Sequence, residues 1–216
     1  MSTIILNKTI TLISILVGVI CYKRLQPQWL RLFFYFLVFT FIIDAGGSMY
    51  SYYFKKSNHF IVNIYLAISF IFYFFLFYIN AERKKIKKIV LISCILYFLI
   101  ALYDNIFING FYLFNAYSYS VGSILITLCC MLYFMGLFTS DTLINYFKIP
   151  MFWIATGLLF YYAGNLVQMS LLIYILNHNL DPGAMVYRFI SVTLNILLFG
   201  AFSVSFLCNQ SWKKIR

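Results

Sequence analysis

The chain has 216 residues, 64% of them hydrophobic, 22% aromatic and only 10% charged, which is more apolar surface and less charge than a soluble globule carries. Sixteen Lys and Arg against five acids give a net charge of +11. These cations sit in short clusters between apolar runs, the pattern of membrane topology rather than of a nucleic-acid surface.

Seven apolar runs long enough to cross a bilayer follow one another, at about 20 residues per crossing. The first, 4–22, is followed rather than preceded by Lys23 and Arg24 and lacks a small-x-small cleavage site, so it reads as a retained span. The second, 29–54, contains IIDAGGSMY, with Asp44 beside two glycines in an otherwise apolar stretch. The remaining runs cover 60–80, 89–109, 117–138, 150–176 and 184–209. The connectors KRLQPQ, KKSNH, AERKKIKK, NGFYLFN, TSDTLINYFKIP and NHNLDPG are short and marked by charge, Pro or Gly. The expected fold is therefore an all-α membrane protein, a single seven-transmembrane-helix bundle over 1–216.

Orientation follows from the cations. Lys23, Arg24, Arg31, Arg83, Lys84, Lys85, Lys87, Lys88, Lys148, Lys213, Lys214 and Arg216 fall on one side, and Lys8, Lys55, Lys56 and Arg188 on the other. The positive-inside rule then puts the N-terminus outside and the C-terminus in the cytoplasm.

At 1.5 Å per helical residue, Asp44, Asp104 and Asn165 all lie about 22 Å above the inner membrane boundary. Helical spacing groups their neighbours. Thr40, Asp44, Gly47, Ser48 and Ser51 share one stripe, and Tyr97, Ala101, Asp104 and Asn105 another. Ser120, Ser123 and Thr127 form a stripe on the fifth run. Gly157, Tyr161, Gly164, Asn165 and Gln168 lie on the sixth, and Arg188, Ser191 and Asn195 on the seventh. Asn63 stands near the rim. Lipid satisfies no hydrogen bonds, so these faces are expected to turn inward and form an outward-opening polar pocket. Its candidate ligand-binding or network residues are Asp44, Ser48, Asp104, Asn105, Asn165, Gln168, Arg188 and Asn195, with Arg188 expected to compensate one of the two acids. The same residues also fit simple glue between helices.

The chemistry on offer is narrow. Five scattered cysteines and two connector histidines, His59 and His178, supply no zinc spacing, so no metal and no cofactor are expected. The last run has no Lys to hold retinal. Asp44 and Asp104 are the only carboxylate pair suited to acid–base work.

Three stretches, PMFWIATGLLFYYAGN (150–165), NIYLAISFIFYFFLFY (63–78) and SVTLNILLFGAFSVSF (191–206), resemble a largely uncharacterised family of small seven-helix membrane proteins of Bacteroidota. Genes of that family often lie near sensor kinases or response regulators. The resemblance implies a bacterial source and an accessory or sensing role, and brings no catalytic residues with it.

The expected protein is a small sensor or regulatory subunit of the bacterial inner membrane. Its partners are the bilayer and a signalling protein at the cytoplasmic face, with no nucleic acid. The alternatives are an intramembrane enzyme acting on a lipid-like substrate through Asp44 and Asp104, or a gated membrane-permeabilising effector of defence or stress.

Overall fold

The computed structural model describes residues 2–110, 112–139, 145–178 and 185–208, with side chains from residue 5 onward and none over 172–178. Among the described residues there are seven α-helices and no strands: α1 (Ser2–Cys21), α2 (Gln28–Phe54), α3 (His59–Asn80), α4 (Lys84–Tyr103), α5 (Ala116–Phe138), α6 (Pro150–His178) and α7 (Met185–Leu207). Their limits follow the apolar runs closely. The exception is α4, which starts at Lys84 rather than near residue 89. Lysine is a good helix former, so the basic segment continues the helix beyond its apolar part.

Six of the helices are long and apolar enough to cross a membrane. α6 is 29 residues long and is not among those six. The chain is thus a multi-pass helical membrane protein by length and composition.

Packing divides the chain into two compact units, one of residues 1–35 and 143–216, the other of 36–142. In the first, α7 packs against both α1 and α6. Close approach occurs at small residues. A Cβ on Gly157 would lie 2.9 Å from Ala201 Cβ and 3.2 Å from the Leu198 carbonyl, and one on Gly164 would strike Leu194. Small residues are how helices gain dispersion contacts where lipid removes the hydrophobic drive. Phe33, at the start of α2, meets Phe202 edge-on with centroids 4.8 Å apart.

In the second unit α3 packs against α4 and α5. Its core is aromatic: Phe70, Phe74, Phe77 and Tyr97 are all buried, with Phe70 and Tyr97 centroids 4.8 Å apart. Phe70 fills the space left by Gly122, where a Cβ would come within 2.8 Å of the ring. The later part of α2 adds Phe36, stacked on Phe72 at 4.0 Å, and Thr40, which accepts a hydrogen bond from the Tyr65 hydroxyl at 3.3 Å.

Candidate functional site

A buried polar cluster lies at one end of the second unit, where α4 gives way to α5. After Tyr103 the chain leaves α-helical register and forms a π-helical turn over Asp104–Ile108. The Asn109 amide closes it onto the Asp104 carbonyl at 3.0 Å. Gly110 follows with φ of +64°, the left-handed conformation that ends a helix and that glycine adopts without strain.

This turn aims the Asp104 side chain at α5. Asp104 is fully buried. Its Oδ1 accepts from Asn109 Nδ2 at 2.7 Å and its Oδ2 from the Ser118 backbone N–H at 2.9 Å. Ser118 is in the first turn of α5, where backbone N–H groups lack helical partners. The N-cap of α5, Asn115, makes no side-chain capping bond among the described residues. Asp104 therefore does the capping from another helix, and its negative charge suits the positive end of the α5 dipole.

Asparagines extend the cluster. Asn63 of α3 donates to the Leu113 carbonyl at 2.7 Å and accepts from the Asn115 N–H at 3.3 Å. Asn105 donates to the Ala101 carbonyl at 2.7 Å. With its amide nitrogen facing the Leu113 and Gly110 carbonyls, Asn115 also accepts from Asn105 Nδ2 at 2.9 Å. Ser118 Oγ donates to the Asn115 carbonyl at 3.1 Å. Three helices and the α4–α5 connection are thereby joined at one level. The same end exposes Tyr52, Tyr53, Tyr112 and Tyr117, amphipathic rings of the kind enriched at the membrane–water interface.

The expected site residues divide between the two units. Asp44, Ser48, Asp104 and Asn105 belong to the second, and Asn165, Gln168, Arg188 and Asn195 to the first. Tyr97, Ala101 and Asp104 form a buried face of α4 and its π-turn. Asp44 was expected inside, but its side chain is exposed on α2. Ser48 donates back to the Asp44 carbonyl at 2.8 Å. Gly47, rather than Gly46, is the closely packed glycine of the pair, 3.0 Å from Asn58 Nδ2 at its Cβ position. In the first unit Asn165 and Asn195 donate to the carbonyls one turn back, Tyr161 at 2.8 Å and Ser191 at 2.9 Å. Gln168 instead links two helices, reaching the Tyr187 carbonyl at 2.9 Å and Ser191 Oγ at 2.7 Å. Arg188 is exposed on α7.

Asn109, Asn115 and Ser118 were not anticipated from the sequence. The signal was the asparagine content of NGFYLFN, which read as an ordinary connector. A second omission is the inward stripe of α1: Thr11, Ser14 and Gly18 are buried, at the i, i+3 and i+7 spacing of one helical face.

Among the described residues no group of three or more His, Cys, Asp or Glu side chains converges to hold a metal. The five thiols are unbridged, and Cys208, just beyond α7, donates to the Phe147 carbonyl at 3.2 Å. The side chains of His178 and Asp181, and Lys213, Lys214 and Arg216, lie outside the described residues.

Fold and site together define a multi-pass α-helical membrane protein whose buried carboxylate is spent on joining helices. Comparison with protein-family models, curated proteins and solved structures yields no match.

Proposed function

We propose that the chain crosses the bacterial cytoplasmic membrane seven times, N-terminus outside and C-terminus in the cytoplasm, as a small sensor or regulatory subunit acting through a separate partner. The twelve-to-four division of cations supports the orientation. α6, at 29 residues, exceeds the roughly 20 needed for a crossing, which supports the seventh span.

The observation that carries the regulatory reading is the Asp104 lock at a π-turn. A π-turn closes i→i+5 and occurs mostly as a single turn, frequently at functional sites. Return of 104–108 to α-helical register would rotate the following residues and draw Asp104 away from Ser118. The first turn of α5 would then lose its cap. Two hydrogen-bonded arrangements of one element are what a small switch requires, since a ligand shifts only an equilibrium that already has two states. A stimulus at the outer surface would bias the lock, and α5 would carry the change to the inner face. Both Asp104 oxygens already accept hydrogen bonds, which favours this over acid–base catalysis.

The test is chemical cross-linking in native membranes, comparing wild type with Asp104→Asn at equal chain abundance. The expected result is a partner held at the inner face whose cross-linking yield and output change in the variant. An unchanged partner set and output with a folded variant would overturn the reading. Altered membrane lipid composition in Asp104→Asn cells would point instead to the enzyme, and depolarisation on expression to the effector.

A further inference from the structure

Asn115 is only 3% exposed, and its amide can be turned two ways. One amide atom lies 3.3 Å from both the Gly110 and the Leu113 carbonyl oxygens. The other lies 2.9 Å from Asn105 Oδ1 and from Asn105 Nδ2 alike, so Asn105 matches one atom and opposes the other in either orientation. The carbonyl side decides. With nitrogen there, as described above, Asn115 makes two bonds longer than the roughly 2.7–3.2 Å of an ordinary N–H···O bond. With Oδ1 there, three oxygens converge with no proton between them, an arrangement that a hard cation stabilises.

The charge balance at this end is a second observation. The fully buried Asp104 carboxylate is held by neutral partners, the Asn109 amide and the Ser118 N–H, and the α5 dipole adds only about half a positive charge. No Lys or Arg occurs between Lys88 and Lys148, and Lys55 and Lys56 of the α2–α3 connection are exposed. A buried charge short of counter-charge is costly. Asp104 shares neighbours with the three oxygens, since Asn109 precedes Gly110 and Ser118 Oγ donates to the Asn115 carbonyl at 3.1 Å. Spacing selects the ion. Ligands at right angles stand about 3.3–3.7 Å apart around Ca2+ and about 2.8–3.0 Å apart around Mg2+, from their bond lengths of roughly 2.3–2.6 and 2.0–2.1 Å. The observed 3.3 Å fits Ca2+.

We infer that the α4–α5 connection binds one Ca2+ through the Gly110 carbonyl, the Leu113 carbonyl and Asn115 Oδ1, with water completing the shell and the Asp104 carboxylate supplying counter-charge from behind. Gly110 is half-buried and Leu113 exposed, so the connection reaches the surface, where the ion enters. Binding turns the Asn115 amide over, Oδ1 toward the ion. Three neutral oxygens make a weak site, with half-saturation near about 1 mM, the weak end of the range for extracellular Ca2+ modules. The site stands on these oxygens whether or not the Asp104 turn is a switch.

The test is unfolding of the full chain in micelles after chelation, followed by circular dichroism, with CaCl2 or MgCl2 added at constant ionic strength. Ca2+ at about 10 mM should raise the folding equilibrium constant about tenfold, and Mg2+ severalfold less. Asn115→Ala removes one ligand but keeps the backbone bonds of residue 115, so the chain should fold and its Ca2+ response should vanish. Asn115→Asp keeps an oxygen at the site and adds charge, so Ca2+ should half-saturate it at a severalfold lower concentration. A wild-type Ca2+ response in Asn115→Ala would overturn the site, and an equal response to Mg2+ would reduce it to charge screening. No Ca2+ response in the wild type, or one that Na+ matches at equal concentration, would refute Ca2+ as the occupant. Should Asn115→Ala fail to fold, a weaker Ca2+ response in Asn115→Asp than in the wild type would still overturn the site.

Discussion

Replacing Asp104 by Leu tests whether the α4–α5 junction is held by its carboxylate. The substitution removes two acceptors and leaves Asn109 Nδ2 and the Ser118 N–H without their 2.7 and 2.9 Å partners. In soluble proteins a hydrogen bond to a charged group contributes about 1.5–3 kcal/mol, so two suggest about 3–6 kcal/mol. Between membrane helices the measured average is nearer 0.6 kcal/mol, with a maximum near 1.7, because the unfolded chain in the bilayer finds other partners. Asp104 is fully buried and serves a first-turn N–H, which favours the upper membrane figure for each bond. The expected loss is therefore about 3 kcal/mol. Asp104→Asn keeps one carbonyl acceptor and should lose about half as much. Adding Asn109→Leu to Asp104→Leu removes one stranded donor and should recover about 1 kcal/mol. Reversible unfolding in mixed micelles, followed by circular dichroism, measures all three. A loss below about 0.6 kcal/mol for Asp104→Leu would refute the lock, because that is the value of ordinary interhelical glue.

Other substitutions separate packing from polar effects. Gly157→Ala places a methyl group against Ala201 and the Leu198 carbonyl and should cost about 1–2 kcal/mol in the same unfolding assay, overpacking outweighing the gain in helix propensity. Gly46→Ala meets nothing within 4 Å and should stabilise by about 0.5–1 kcal/mol through the unfolded chain. Arg188 is exposed, so Arg188→Leu should shift stability by no more than about 0.5 kcal/mol. A loss of roughly 3–5 kcal/mol, rescued by Asp44→Asn or Asp104→Asn, would instead reveal a buried ion pair. Reporters active only in the cytoplasm should work when fused after Arg216 or between Arg83 and Lys88 and be silent after His178; the reverse pattern would invert the proposed orientation.

The sequence by itself determined the helices. Apolar runs of crossing length, broken by charge, Pro and Gly, leave few other structures in a medium that cannot satisfy exposed backbone groups, and the observed limits of α2, α3 and α5 fall within a residue of the runs. It also marked the face of α4 that Tyr97, Ala101 and Asp104 share, since helical spacing is a local property. Tertiary structure decided which polar groups have partners. In helices apolar all round, the pattern does not say which side a neighbour covers, so Asp44 could not be recognised as exposed, nor Gly47 told from Gly46. The partners of Asp104 depend on two further facts without a sequence period. One is the π-turn, which adds a residue to the helix just where α4 ends. The other is the path of the α4–α5 connection, which brings Ser118 to Oδ2 from 14 residues away and Leu113 to Asn63 from 50. Hydrogen bonds of that separation are set by where the packed helices place their ends, not by the order of the residues along them.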